Sequence, residues 1–325
     1  MVSQFSVFIK CMTYNQSAYI EDAMNGFVMQ KTFFPYICVI VDDASSDDEP
    51  KIINKYFQKY FNLIELEEND DCVLNYGQHK TNKNCFFAII YLKYNHYSIK
   101  KNKEPYYSKW QNQSKFIALC EGDDYWIDEN KIQRQVDFLE KNEDCSLTSE
   151  NGLVLYVTSG ETKPFSNEDV SYYSIDDLLL RRRFPTASVM YRAIYADELS
   201  KNKCALDTVV WAYLSLKGKI HYDNHILSTV YRKGVGVTAS DNVRWAYTSE
   251  DFNNRINKMF NPIARVRIVR RKMMLIVYTR GILDAIKRGL WRDSIKLSCH
   301  LFICFFLFLK DTACCFFSRV FRLEI

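Results

Sequence analysis

An α/β fold built on a mostly parallel sheet is what this sequence predicts, and three observations predict it. Three largely apolar runs, Phe5 to Cys11, Tyr36 to Val41 and Phe116 to Cys120, have the character of strands buried on both faces. Each runs into a polar or acidic loop: Met12-Thr13-Tyr14-Asn15-Gln16, Asp42-Asp43-Ala44-Ser45-Ser46-Asp47-Asp48, and Glu121-Gly122-Asp123-Asp124. Amphipathic segments between them give the order strand, helix, strand, helix, strand, as a parallel sheet requires.

Along the chain, Ser17 is placed to cap a helix reaching about Gln30, with Ile20, Ala23, Met24 and Phe27 on one face. Asp47 or Asp48 starts a second helix reaching Phe61, and Leu63 to Leu66 reads as a strand. Asn75-Tyr76-Gly77 opens a polar loop, Asn84 to Tyr97 reads as a helix, and Ser98 to Ser114 as a basic, polar surface insertion. Asp128 caps a helix that turns Ile132, Val136 and Leu139 to the core. The stretch from Arg181 to Arg192 is a loop entering a strand, with Thr186 and Ser188 facing the crevice. A helical segment begins at Asp207 and closes at Gly218, and a strand from Ile226 leads into a Gly-rich, basic loop ending at Thr238.

With 325 residues, 48% of them hydrophobic, the chain can build one large domain and an appendage. Charge places the division: residues 241–325 hold 16 Lys and Arg against 7 Asp and Glu, whereas residues 1–240 are net acidic. We therefore expect a domain over 1–240 and a basic, helical C-terminal region over 241–325. The apolar run Leu301 to Leu309 is too short to span a bilayer, which needs about 20 residues. With basic flanks such as Arg265, Arg267, Arg270, Arg271 and Lys272, it fits a helix lying on an anionic membrane surface; a helical hairpin packed on protein is the alternative. Nucleic-acid binding is disfavoured, because no recognition motif accompanies the basic cluster. Eleven Cys without a Cys-x-x-Cys pair, and no signal peptide before Phe5, point to a reduced, cytoplasmic setting. Five His without ligand spacing argue against zinc, and the lack of Gly-x-Gly-x-x-Gly after the first strand argues against a dinucleotide-dependent oxidoreductase.

The chemistry gathers at the strand ends, where an open α/β sheet binds its ligands. The carboxylates of Glu121, Asp123 and Asp124 are hard donors suited to Mg²⁺ or Mn²⁺, and Gly122 lets a bulky anion approach the backbone. Thr13 and Asn15 offer short polar groups to a base edge, and Tyr14 a flat face for stacking. The runs Thr13-Tyr14-Asn15, Val41-Asp42-Asp43-Ala44-Ser45 and Glu121-Gly122-Asp123-Asp124-Tyr125-Trp126, followed by Lys131, Gln135, Phe138 and Leu139, resemble family-2 glycosyltransferases with the GT-A fold, of the bacterial surface-polysaccharide type. The resemblance covers roughly residues 3–235. It implies that Thr13, Asn15 and the Asp42/Asp43 pair hold the nucleotide of a nucleotide-sugar donor, and that Asp123 and Asp124 hold a divalent metal against its diphosphate. Glu121 stands where the commonest pattern has Asp, which leaves its assignment between ribose and metal open.

An inverting sugar transfer needs a base for the acceptor hydroxyl. By its place ahead of a Trp-containing helix and a Gly-Lys turn, Asp207 resembles the aspartate that serves as base in this family; Glu150 is held in reserve. Arg232 and Lys233 are placed to neutralise the leaving diphosphate, while the His that related enzymes often carry nearby is absent from this loop. The expected acceptor is a glycan or lipid-linked hydroxyl at the inner face of the cell membrane, and a homo-oligomer is compatible with all of this. Two rivals share the fold: a nucleotidyltransferase, which would need a Gly-rich loop after the first strand, and a non-catalytic, membrane-attached binding module.

Overall fold

The computed structural model describes residues 4–202, 207–234, 241–260 and 262–320, with side chains up to 313. The Gly-rich stretch from Val235 to Thr238 and the side chains of Cys314, Cys315, Phe316 and Phe317 lie outside the described residues. The chain runs β1 (Phe5–Thr13), α1 (Ile20–Val28), β2 (Tyr36–Asp42), α2 (Glu49–Tyr60), β3 (Phe61–Glu68), β4 (Cys72–His79), β5 (Cys85–Leu92), α3 (Glu104–Gln111), β6 (Ser114–Leu119), β7 (Tyr125–Trp126), α4 (Lys131–Lys141) and β8 (Cys145–Tyr156). It continues through β9 (Thr162–Pro164), β10 (Tyr172–Tyr173), α5 (Ile175–Leu180), β11 (Met190–Arg192), α6 (Ala196–Lys201), α7 (Asp207–Leu214), β12 (Lys219–Lys233), α8 (Asn242–Phe260), α9 (Ala264–Lys287) and α10 (Trp291–Val320).

One sheet joins the strands in the order β10, β12, β8, β11, β6, β1, β2, β5, β4, β3, with β7 beside β12 and β9 beside β8. Its centre, β6-β1-β2-β5, is parallel throughout, as is the β8-β12 pair. The strand pattern explains the layers: Val7, Ile9 and Cys11 alternate with Phe8 along β1, so one face takes α1, α2 and α4 through Ile20, Phe27, Ile53, Phe57, Ile132 and Leu139. On the other face Phe8 meets Tyr107 of α3, ring centroids 5.8 Å apart. Each fully buried Ile or Phe here contributes about 1.5–3 kcal/mol.

Several local expectations are corrected. Residues from Asn84 to Tyr97 are not a helix: Cys85 to Leu92 form β5, whose run of aromatic and β-branched residues is paired on both edges, by β2 and β4. Asn75-Tyr76-Gly77 is strand, not loop; a side chain on Gly77 would come within 2.5 Å of the Asn62 carbonyl. The stretch from Ser98 to Ser114 contains α3, which buries Tyr107 and Trp110. Tyr19 rather than Ser17 precedes α1, and Asn130 rather than Asp128 precedes α4, although Asp128 Oδ1 accepts the Asn130 N–H at 2.8 Å.

The chain divides into two compact units. The first carries the sheet. The second comprises residues 174–182, 206–212 and 236–325, and its described part is built on α8, α9 and α10. Val243, Ala246, Met274, Tyr278, Ala285 and Leu297 form its small core. Gly289, at φ +69°, turns the chain between α9 and α10. Leu297, Leu301 and Cys304 carry the inner stripe of α10 at three- and four-residue spacing. No described helix is long and apolar enough to cross a membrane.

Candidate active site

Parallel pairing brings three C-terminal strand ends into line. Thr13 lies opposite Asp42, and Lys10 opposite Leu119, so the loops after β1, β2 and β6 leave the sheet side by side. The acidic loop is stitched to β1: Cys120 N donates to Lys10 O at 3.2 Å and Gly122 N to Met12 O at 3.3 Å. A Cβ on Gly122 would overlap Thr13 Oγ1 and reach 2.5 Å from Gln16 Oε1, so only glycine fits this crossing. Asp124 N closes the turn on Glu121 O at 3.1 Å. Beyond it, β7 pairs with β12, Thr229 opposite Trp126, and Trp126 donates from Nε1 to Ala187 O at 2.8 Å. The acidic turn is thus fixed at both ends.

Glu49, the first residue of α2, organises the floor. Fully buried, it accepts from Thr13 Oγ1, from Gln16 N at 2.9 Å and from Ser45 Oγ at 2.8 Å, uniting the loops after β1 and β2. Asp42 Oδ1 accepts from Ser45 N at 3.1 Å and from the Ser45 hydroxyl. Asn15 closes the same loop pair, its N–H on Ser45 Oγ at 2.9 Å and its Oδ1 accepting from Ser46 N at 2.8 Å. Asn15 and Ala44 both sit at positive φ, 53° and 61°. Asn tolerates that region, but for Ala it stores on the order of 1 kcal/mol of strain, which the surrounding bonds overcome. Burial pushes the Asp42 carboxyl up to about 6; the Ser45 bonds oppose this, and Glu49 and Asp47 add to it.

The predicted site residues take different positions. Asp43 is buried and committed: its carboxylate accepts His96 N at 2.7 Å and Tyr97 N at 3.1 Å and pairs with Lys103 at 2.7 Å, which anchors the loop after β5. Tyr14 is exposed, Glu121 is exposed, Asp123 is half-buried and Asp124 is buried. Asp124 Oδ1 accepts the Arg232 N–H at 2.9 Å, and Arg232 Nη1 donates to Asp123 O at 2.8 Å. The Arg232 guanidinium is ion-paired with Asp22 and packs on Tyr125 and Tyr19, 4.5 and 4.9 Å from their ring centroids. Thr13, Asn15, Asp42, Asp43, the acidic turn and Arg232 therefore form one contiguous cluster. Asp207 opens α7 and belongs to the second unit. Thr186 and Ser188 lie in a buried single turn, and Ser188 Oγ bonds Pro185 O at 2.8 Å.

Glu49 and Asp22 are the residues that sequence reasoning missed. The acidic start of α2 before Pro50 signals a helix N-terminus, and nothing in that signal says that Glu49 turns inward. Beneath the acidic turn, Lys131 is fully buried, donating to Gln135 Oε1 at 2.7 Å and Ser188 O at 3.2 Å, and its ammonium lies 4.5 Å from the Trp126 ring centroid. Burial pulls it down to about 8, against the opposing pull of Glu150. Glu150, also buried, accepts Arg134 Nε at 2.9 Å through Oε1, while its Oε2 lacks a hydrogen-bond partner among the described residues.

The donor set fits a divalent cation in one specific way. Among the described residues no three His, Cys, Asp or Glu side chains are grouped as a metal cage. Two carboxylates on a fixed turn suit Mg²⁺ or Mn²⁺, which bind one or two protein carboxylates and complete their shell with phosphate oxygens and water. The local field has the matching sign. The Cys11 thiol is pushed well up by burial and then by Glu49, Glu121 and Asp123; burial and then Asp124 act likewise on Cys120.

A parallel sheet core whose strand ends carry an acidic turn over a polar floor is a GT-A-like fold, as the motifs suggested. Residues 8–75 match the profile of glycosyl transferase family 2. An uncharacterized protein of Mycobacterium tuberculosis strain H37Rv is 30% identical over 219 residues, 65% of this chain and 54% of the relative; a Mycobacterium bovis protein matches equally. The chain thus spans about half the length of these curated relatives. Among solved structures, S. aureus TarS residues 1–349 superposes with a TM-score of 0.55 at 13% identity, over 90% of this chain and 79% of that one. Its complex with UDP gives 0.53 at 13% identity, over 86% and 74%. At this identity the likeness is one of fold.

Proposed function

We propose that this protein transfers a glycosyl group from a nucleoside diphosphate sugar to a hydroxyl of a glycan or lipid-linked acceptor, with inversion at the anomeric carbon, in assembly of a surface polysaccharide. The observation that carries this reading is the acidic turn Glu121–Asp124, fixed against Thr13 where the ends of β1, β2 and β6 align. UDP in the S. aureus TarS complex supports a nucleotide donor by analogy of fold.

In this reading Thr13, Tyr14, Asn15 and Asp42 hold the base and ribose, with Glu49 fixing the loops that present them. Asp43 contributes by anchoring the loop after β5. Asp123 and Asp124 would hold Mg²⁺ or Mn²⁺, and the ion when bound supplies Lewis-acid neutralisation of the diphosphate. Glu121 addresses the ribose or the ion. Arg232 adds positive charge beside the leaving group from a position already set by Asp22 and the Asp123 carbonyl. Asp207 accepts the proton of the acceptor hydroxyl as its oxygen bonds to the anomeric carbon and the bond to the diphosphate breaks. The enzyme works at the cytoplasmic face of the membrane, which the basic helices of the C-terminal region contact.

Incubation with a panel of nucleotide sugars and Mn²⁺, with and without EDTA, tests this by release of nucleoside diphosphate. Release from one donor that EDTA abolishes and that falls on the order of 100-fold in Asp124→Asn is the expected result. Absence of both release and metal-dependent nucleotide binding across the panel would overturn it.

A further inference from the structure

A second concentration of charge lies within the second unit, among α8, α9 and α10. The helices α8, α9 and α10 enclose a cavity of about 230 Å³. Arg267, Arg270 and Arg271, at i, i+3 and i+4 on α9, line one wall; Asn253, Asn254 and Asn257 of α8 line another. Arg270 is 8% exposed and has no ion-pair partner among the described residues. Neutral groups hold it: Nε donates to Asn253 Oδ1 at 2.9 Å and Nη1 to Leu179 O at 2.7 Å, and Phe252 lies 4.8 Å from its guanidinium carbon. Arg267 and Arg271 share a single carboxylate, Asp311, at 3.5 and 2.5 Å. Glu250, the one acid lining the cavity, is taken by His300 at 2.7 Å.

Three guanidinium groups therefore face two carboxylates, one shared and the other already held. A buried cation without a counter-charge is costly, and an anionic ligand would offset that cost. The planar guanidinium fork matches phosphoryl oxygens, and amide N–H₂ groups of Asn add neutral donors. At about 30 Å³ per water, the cavity has room for a tetrahedral oxyanion with several bridging waters. Ile303 and Leu307, which also line it, are 56% and 40% exposed and lie beside the exposed Phe302, Phe305 and Phe306. The arginine and asparagine walls and the apolar side chains beside them together match a phosphorylated head group with a hydrocarbon tail.

We propose that this cavity is a phosphoryl-anion site, filled either by a lipid phosphate head group or by free phosphate. The proposal is independent of the transferase reading, and its test uses no sugar donor. The full chain is sedimented with phosphatidylcholine vesicles, with and without phosphatidic acid, and is titrated separately with inorganic phosphate and pyrophosphate by calorimetry. Binding to phosphatidic acid vesicles but not to phosphatidylcholine alone marks the lipid source; saturable binding of the free ions without vesicle binding marks the other. Arg270→Gln should weaken the interaction at least tenfold. Asn254→Asp, an exposed change that adds a negative charge to the lining without touching the Arg270 bonds, should weaken it similarly while the melting temperature holds. Lys272→Ala, on α9 but outside the lining, should leave it unchanged. No saturable binding to any probe would overturn the proposal, as would an Asn254→Asp variant that binds like the wild type. A Lys272→Ala loss equal to that of Arg270→Gln would also overturn it, because the attraction would then be to the net charge of the helix.

Discussion

The strand ends of the first unit and the helical cavity of the second solve one problem with opposite signs. At the strand ends Asp42 and Glu49 are buried among hydroxyls and main-chain N–H groups; in the cavity Arg270 is buried among an amide, a carbonyl and a ring. Burial moves the two kinds of group in opposite directions, Asp42 up to about 6 and Arg270 down to about 10. Neutral dipoles fix a charge in place without cancelling it, so its field stays available to a ligand. Asp43 makes the contrast within the same loop: ion-paired with Lys103, its charge is spent on holding structure.

The largest way to break this comparison is Asp124→Asn, which removes charge from the acidic turn while keeping its shape, and the cavity variants do the same for the positive site. Gly122→Ala comes next. Its methyl displaces Thr13 Oγ1 from Glu49, so we expect a loss of about 2–3 kcal/mol, read as a fall of roughly 4–10 °C in melting temperature. A variant that melts like the wild type would mean that the acidic loop is not held against β1.

How much of this was legible follows from where the information lies. The runs at Phe5, Tyr36 and Phe116 announced parallel strands because they are short, apolar and end in polar turns, and the loops after them carried their chemistry in plain order. The segment from Asn84 to Tyr97 misled because an apolar run reads alike as strand or helix; pairing with β2 and β4 decided it. Glu49 stayed hidden because a helix N-terminus normally turns its acid to water. The arginines of α9 stood open between a membrane surface and a helical hairpin packed on protein, since spacing alone does not say whether a basic stripe meets solvent or lines a cavity between helices. Asp42 and Asp43 looked equivalent in sequence; only the loop that folds over Asp43 separates them.

That separation is itself testable by pH. Asp42 ionises near 6 when folded and near 4 when unfolded, so the folded state binds more protons between those values, and stability falls as pH rises from 4 to 6. Asp42→Asn should abolish this component, making the variant about 1–2 kcal/mol more stable relative to wild type at pH 7 than at pH 4 in denaturant titrations. A difference between the two proteins that does not change with pH would mean that Asp42 is solvated.

Lys131 gives the smallest effect at neutral pH, and its pH dependence has the opposite sign. Its folded value near 8 lies below the ordinary value for lysine, so the folded state binds fewer protons between pH 8 and about 10, and stability rises with pH across that window. Lys131→Met removes the buried charge but also the bonds to Gln135 and Ser188, two terms that nearly cancel at pH 7, where we expect a change within about 1 kcal/mol. Between pH 8 and 10 the wild type should gain on the variant by about 1–3 kcal/mol. A cation that gave no such gain would be one already neutralised by a carboxylate, and Lys131 would then resemble Lys103 in its pair with Asp43 rather than Arg270 among its neutral dipoles.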